Sequence, residues 1–172
     1  VSYPPVSGWR PPSATERKKI LDGARTIAIV GASSKSSRAS NFVITYLKSS
    51  ACDYDLYPIN PAESEILGID VYPDLASIPV PIDIVDVFRR SEDCPDVARL
   101  AVEVGARVLW LQLGVWSVPA AEIALAAGLQ VVMNRCTKIE HARFAGGLHL
   151  AGFNTGVISS RRAAPGRGPG AR

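Results

Sequence analysis

Five short apolar runs, spaced by segments long enough for helices, leave this chain few ways to fold. The runs cover residues 27–30, 54–57, 82–88, 107–112 and 129–133. The first, Ile27-Ala28-Ile29-Val30, is rich in β-branched residues and bounded by Gly31, as a buried parallel strand should be. Residues 41–48, 96–104 and 119–127 have helical spacing, and Gly105 and Gly128 stop the last two. Residues 138–144 make a last short helix. Strands that alternate with helices in this way demand a parallel sheet with right-handed crossovers and helices on both faces. The expected fold is a Rossmann-like three-layer α/β/α sandwich with a mainly parallel sheet of about five strands.

The remaining segments fill in around that frame. Residues 1–12 contain four prolines and read as an extended arm, with Trp9 available to dock on the body. Ser13 and Glu16 form a capping box for a helix that runs to about Ala24. Pro58 cannot donate to a ladder, so the second strand is expected to stop there. Residues 66–73 read as a turn with a short extended piece, and residues 74–78 as a short helix. The domain proper spans 13–145. Residues 146–158 form a C-terminal segment whose structure the pattern does not give, and 159–172 a tail.

That tail decides what the charge means. The formal net charge is +3, but residues 159–172 hold four arginines and no acid. Without those four of the 19 basic residues, 15 face 16 acidic ones. The body is therefore near neutral, which speaks against nucleic acid as a partner. The Pro/Gly-rich tail is expected to be disordered and solubilising. No apolar run approaches the roughly 18 residues of a membrane helix, and the N-terminus lacks the pattern of a secretory signal. Cys52, Cys94 and Cys136 are widely spaced and odd in number, so neither a disulfide framework nor a metal site is expected, and a reducing cytoplasm is the default.

The chemistry gathers at the strand ends. After the first strand comes Gly31-Ala32-Ser33-Ser34-Lys35-Ser36-Ser37-Arg38. Strand, Gly/Ser turn and helix together present a helix N-terminus to an anion, with serine hydroxyls, Lys35 and Arg38 beside it. Gly31 fits the first position of a G-x-G-x-x-G dinucleotide fingerprint, but Ser33 and Ser36 replace the other two glycines. The second strand leads into Ile59-Asn60-Pro61, and no acid follows until Glu63, a poor setting for the ribose of NAD. Arg89 and Arg90 follow the third strand, and Gln112 ends the fourth. A polar residue closing an apolar strand at the ligand edge needs a partner.

Taken together, Ile29-Val30-Gly31-Ala32-Ser33, Tyr57-Pro58-Ile59-Asn60-Pro61, Ile66-Leu67-Gly68, Val85-Asp86-Val87-Phe88-Arg89, Leu109-Trp110-Leu111-Gln112-Leu113-Gly114 and Arg135-Cys136 carry a resemblance. The chain resembles the small, stand-alone CoA-binding proteins, relatives of the CoA-binding domain of the succinyl-CoA synthetase alpha subunit. The resemblance implies a domain that binds coenzyme A, or an acyl-CoA, along the carboxyl edge of the sheet. It implies that Gly31, Ala32, Ser33 and Ser34 face the diphosphate, with Lys35 and Arg38 as nearby cations. Asn60 and Pro61 would border the nucleotide, Phe88 and Arg89 the middle of the cleft, and Gln112 and Gly114 the pantetheine arm. Asn134 stands where such proteins often carry an aspartate.

Two other readings stand beside this one. One is an NADP-dependent oxidoreductase using the same cleft, with a cation taking the 2′-phosphate. The other is a regulatory partner of an acyl-CoA enzyme that has lost ligand binding and kept only the fold. Cys136 reads either as a small buried residue or as a thiol that could form a mixed disulfide with CoA. His141, beside Glu140, reads as structural before it reads as a base, and Trp110 and Phe88 as core before stacking platforms. No nucleophile–base pair is legible, so the expectation is a binding module and not an enzyme.

Overall fold

The computed structural model describes residues 2–49 and 52–145. The expectations for 146–158, for the tail at 159–172 and for His149 lie outside the described residues. Helix α1 (Ala14–Asp22) starts at Ser13 with the full capping box, and β1 (Thr26–Val30) and α2 (Ala39–Leu47) follow. Then come β2 (Asp55–Ile59), a small hairpin of β3 (Glu65–Ile66) and β4 (Ile69–Asp70), and β5 (Ile84–Val87). The described residues end with α3 (Cys94–Glu103), β6 (Val108–Leu111), α4 (Val118–Ala126), β7 (Gln130–Val132) and α5 (Thr137–Ala145). At the hairpin, Leu67 and Gly68 both have positive φ, the geometry that matches a two-residue turn to strand twist.

The five long strands are parallel in the order β2-β1-β5-β6-β7. Between β1 and β5 the direction of winding reverses. Open α/β sheets leave a crevice at that reversal, outside the carboxyl ends of the strands. Period-two alternation divides the core. Ile27, Ile29, Ile84, Val108 and Trp110 pack with α1, α2 and α5, while Ala28, Val30, Val85, Val87, Leu109 and Leu111 pack with α3 and α4. Helices α3 and α4 bury Ala98, Ala101, Ala120, Ala121 and Ala124, small enough to let both lie close to the sheet.

Pro58 corrects the expected end of the second strand. Strand β2 runs on to Ile59, with Pro58 opposite Ile29. It is an edge strand of the sheet, and the Pro58 carbonyl faces outward, accepting the Tyr72 N–H at 2.9 Å. The missing N–H of Pro58 lies on that same outer side, so no bond to β1 is lost. The other boundaries move by one to three residues. Ile82 and Gln112 leave the strands proper but remain buried.

Two long-range clips close the structure. The arm carries Val6 into the core, Trp9 Nε1 donates to the Val131 carbonyl at 3.2 Å, and Tyr3 stacks on Trp116 at 4.7 Å. Arg17 on α1 pairs with Glu140 on α5 at 2.7 Å, both side chains almost wholly buried.

Candidate functional site

A cleft of about 940 Å³ opens at the carboxyl edge of the sheet, over the reversal between β1 and β5. The segments that follow β1, β2, β5 and β6 and the start of α5 all contribute to it. Gly31 makes the approach possible. Its φ is +82°, and a Cβ there would lie 2.5 Å from the Phe88 carbonyl oxygen. Only glycine allows the turn after β1 to cross so close to the end of β5.

The loop after Gly31 is held from both sides. Asn41, buried in the first turn of α2, donates to the Ser33 and Ser34 carbonyls at 3.1 and 3.2 Å. Asn60 donates to the Ala32 carbonyl at 2.8 Å, and its own side-chain oxygen accepts the Ala62 N–H. Helix α2 itself begins with no side-chain cap, and Ala39 and Ser40 of its first turn line the cleft. Lys35, Arg38 and Arg89 also line it, and none is ion-paired among the described residues. By contrast Arg10, Arg17, Lys18, Arg25, Arg99 and Arg107, all away from the cleft, are paired. An uncapped helix N-terminus among cations without ion-pair partners carries a positive potential.

Ten of the twelve expected residues line the cleft: Gly31, Ala32, Ser33, Lys35, Arg38, Asn60, Pro61, Phe88, Arg89 and Gln112. Ser34 and Gly114 do not. The Ser34 N–H donates to the Glu63 carboxylate at 3.1 and 3.2 Å, and the Gly114 N–H donates to Asn134 Oδ1 at 2.8 Å. Asn134, at φ +55°, thus has a structural task, a left-handed turn that asparagine tolerates. Arg90 reaches the cleft but is engaged with Glu92 and Asp93.

Glu63 is the largest addition. Counted along the sequence it is too far past β2 to serve the loop. The turn closed by Asn60 folds the chain back and brings its carboxylate onto the loop. Phe42, Leu113 and Ile139 are further additions, large apolar side chains that line the cleft and yet remain 37–62 % exposed, and Val115 and Lys138 line it beside them. Phe88 is half-buried between core and cleft, whereas Trp110 is wholly core, its Nε1 donating to the Arg135 carbonyl at 2.7 Å.

Below the cleft lies a buried polar group. Asp86 in β5 accepts from Gln112 Nε2 at 2.6 Å and from the Thr137 hydroxyl at 2.9 Å. Burial pushes its carboxyl up to about 7, against the pull of both hydrogen bonds. Cys136 lines the cleft, but burial raises its thiol, outweighing the Ile139 and Lys138 N–H groups, with a further rise from Asp86. That environment disfavours the thiolate. Glu140 and His141 lie off the cleft: Glu140 pairs with Arg17, and His141 Nδ1 hydrogen-bonds Tyr46 Oη at 2.9 Å. No cluster of metal-ligating side chains and no helix long and apolar enough to cross a membrane occurs among the described residues.

Residues 25–142 match the model of a family described as CoA binding domain. The chain is 39 % identical over 131 residues to the uncharacterized protein YneT of Bacillus subtilis (strain 168), covering 76 % of this chain and 96 % of that one. A hypothetical protein from Pyrococcus horikoshii OT3 superposes with a TM-score of 0.74 at 36 % identity, over 80 % of this chain and 98 % of the other. A dinucleotide-forming acetyl-coenzyme A synthetase of Ca. Korarchaeum cryptofilum, in complex with phosphate and ADP, shares the fold. There the TM-score is 0.61 at 21 % identity, over 68 % of this chain and 27 % of that one.

Proposed function

The chain belongs to the CoA-binding domain family, and from that premise we propose that it is a binding module for coenzyme A or an acyl-CoA, with no catalytic machinery of its own. The observation that carries this reading is the uncapped start of α2 facing the cleft beside the unpaired Lys35, Arg38 and Arg89. A diphosphate seated at the Gly31–Ser33 turn meets first-turn N–H groups, the positive end of the helix dipole and these cations. Each charge-assisted contact contributes roughly 1.5–3 kcal/mol.

The rest of the cleft is of another kind. Leu113 and Val115 follow β6, and Ile139 lies beyond β7, so this apolar part begins two strand spacings, roughly 10 Å, from the loop over β1. A ligand with an anionic nucleotide end and a long uncharged arm matches both parts. Asn60 and Pro61 would border the nucleotide, Phe88 the middle of the cleft, and Gln112 the arm. Ser34 joins the phosphate site only when Glu63 gives up its N–H, and Gly114 shapes the turn behind Gln112.

Thermal unfolding with CoA, acetyl-CoA, NAD and NADP tests the reading. A ligand at a hundredfold excess over its Kd stabilises the native state by about 2.7 kcal/mol, which for this size raises Tm by several degrees. The expected result is a rise with CoA or acetyl-CoA and none with NAD or NADP. A rise with NADP alone would refute the proposal and favour an oxidoreductase.

A further inference from the structure

One wall of the cleft is held from behind. Leu113 and Val115, on the loop after β6, line the cleft. The Gly114 N–H donates to Asn134 Oδ1 at 2.8 Å and the Val115 carbonyl accepts the Asn134 N–H at 3.2 Å, so this loop is tied to the turn after β7. The next residue ties it to the other neighbour. The Trp116 N–H donates to Ser91 Oγ at 3.1 Å, and Ser91 directly follows Arg89 and Arg90, which line the cleft after β5. Ser91 and Trp116 stand outside the cleft lining themselves. They border a separate hollow of about 510 Å³ together with Tyr3 and Pro4 of the N-terminal arm.

In that hollow the Trp116 indole is clamped. Tyr3 stacks on it at 4.7 Å with the planes 15° apart, Trp9 meets it edge-on at 5.6 Å, and its Nε1 donates to the Pro4 carbonyl at 3.0 Å. The arm is anchored in turn by Val6 in the core and by the Trp9 bond to the Val131 carbonyl. Each of these contacts is modest alone. Their place matters more, because they order a loop whose ordering would otherwise be charged against ligand binding. We propose that Ser91 and Trp116 are positioning residues of the cleft, and that the docked N-terminal arm holds Trp116 so that the Leu113–Val115 wall is set before the ligand arrives. The inference rests on the CoA reading. Arm docking and ligand binding then form one linked equilibrium: an arm that favours the ligand is favoured by the ligand to the same degree. A clamp that served the stability of the fold alone would show no such link.

The test uses the full chain, titrated by calorimetry with CoA and with adenosine 3′,5′-bisphosphate, which has phosphates but no pantetheine. Tyr3→Ala and Ser91→Ala trim half-buried side chains that lie outside the cleft lining. Each should bind CoA about threefold to tenfold more weakly and lose much less for the bisphosphate, and Ser91→Thr, which keeps the hydroxyl, should restore CoA binding. Unchanged CoA affinity in both alanine variants, or an equal loss for the two ligands, overturns the proposal. A Ser91→Thr variant as weak as Ser91→Ala overturns the role given to the Ser91 hydroxyl. The link is read in wild type from exchange of the Trp116 indole proton with water, its signal identified by its loss in Trp116→Phe. Exchange requires the bond to the Pro4 carbonyl to open. Saturating CoA should slow it by at least the factor that Tyr3→Ala costs in affinity. An unchanged exchange rate refutes the coupling, even where an alanine variant fails to fold. Normal CoA binding by wild type with none of these effects refutes this inference alone, whereas no binding of either ligand by wild type refutes the CoA reading and this inference with it.

Discussion

Replacing Asp86 by asparagine should change how stability depends on pH. The carboxyl has no exposed surface, and burial raises it from its ordinary 3.8 to about 7. A carboxyl raised in the folded state binds its proton more tightly there than in the unfolded chain. Its stabilising contribution is complete below about 3.8 and is lost as pH rises through about 7. Each pKa step is worth about 1.4 kcal/mol, so the loss approaches about 4 kcal/mol over the whole range, and about 2–3 kcal/mol of it falls between pH 5 and pH 8. Asparagine keeps the shape. Its oxygen can accept from Gln112 Nε2 and its nitrogen can donate to Thr137 Oγ1, so the network survives without a titrating group. Urea unfolding of both proteins at several pH values between 5 and 8 gives the difference directly. Groups common to both, such as His141, cancel in it. The stability of wild type relative to Asp86→Asn should fall by about 2–3 kcal/mol from pH 5 to pH 8. A difference that stays constant would refute the claim that the fold holds a costly buried carboxyl.

Three further substitutions test the architecture. Gly31→Ala combines a positive φ with a Cβ 2.5 Å from the Phe88 carbonyl oxygen, so urea unfolding should show a loss of about 2 kcal/mol or more. Glu140→Ala leaves the buried Arg17 guanidinium without its main carboxylate. It should cost about 3–5 kcal/mol, while Arg17→Met combined with Glu140→Leu should recover most of that in a double-mutant cycle. Glu63→Gln removes a negative charge that holds the Ser34 N–H at the edge of the anion site. CoA should bind several-fold more tightly to this variant at low ionic strength, with the gain shrinking as salt is added.

What the sequence reveals and what it hides follow from the range of the interactions. The strands and helices are legible because each depends on its own residues: the β-branched run before Gly31, the Ser13–Glu16 capping box, the glycines at 105 and 128. The glycine turn after β1 is legible for the same reason. Pro58 misleads because the rule against proline in a strand concerns which side of the strand needs a donor, and that side is fixed only when β2 takes the sheet edge. Glu63 is hidden by a turn that returns the chain on itself, although Asn60-Pro61 marks that turn. Ser34 stands off the cleft lining for the same reason, since Glu63 takes its N–H. The polar group beneath the cleft joins Asp86, Gln112 and Thr137 across three elements. Gln112 is visible as a polar strand end in want of a partner, but its partners, Asp86 on β5 and Thr137 at the start of α5, come together only in the assembled sheet.

Calorimetric titration of CoA into the purified full chain tests the central claim most directly. The account predicts saturable binding with one CoA per chain and an affinity that falls as salt rises, because the proposed contacts at Lys35, Arg38 and Arg89, all lining the cleft, would be ionic. No heat and no saturation with CoA or acetyl-CoA, in protein verified as folded and free of carried-over ligand, would contradict it.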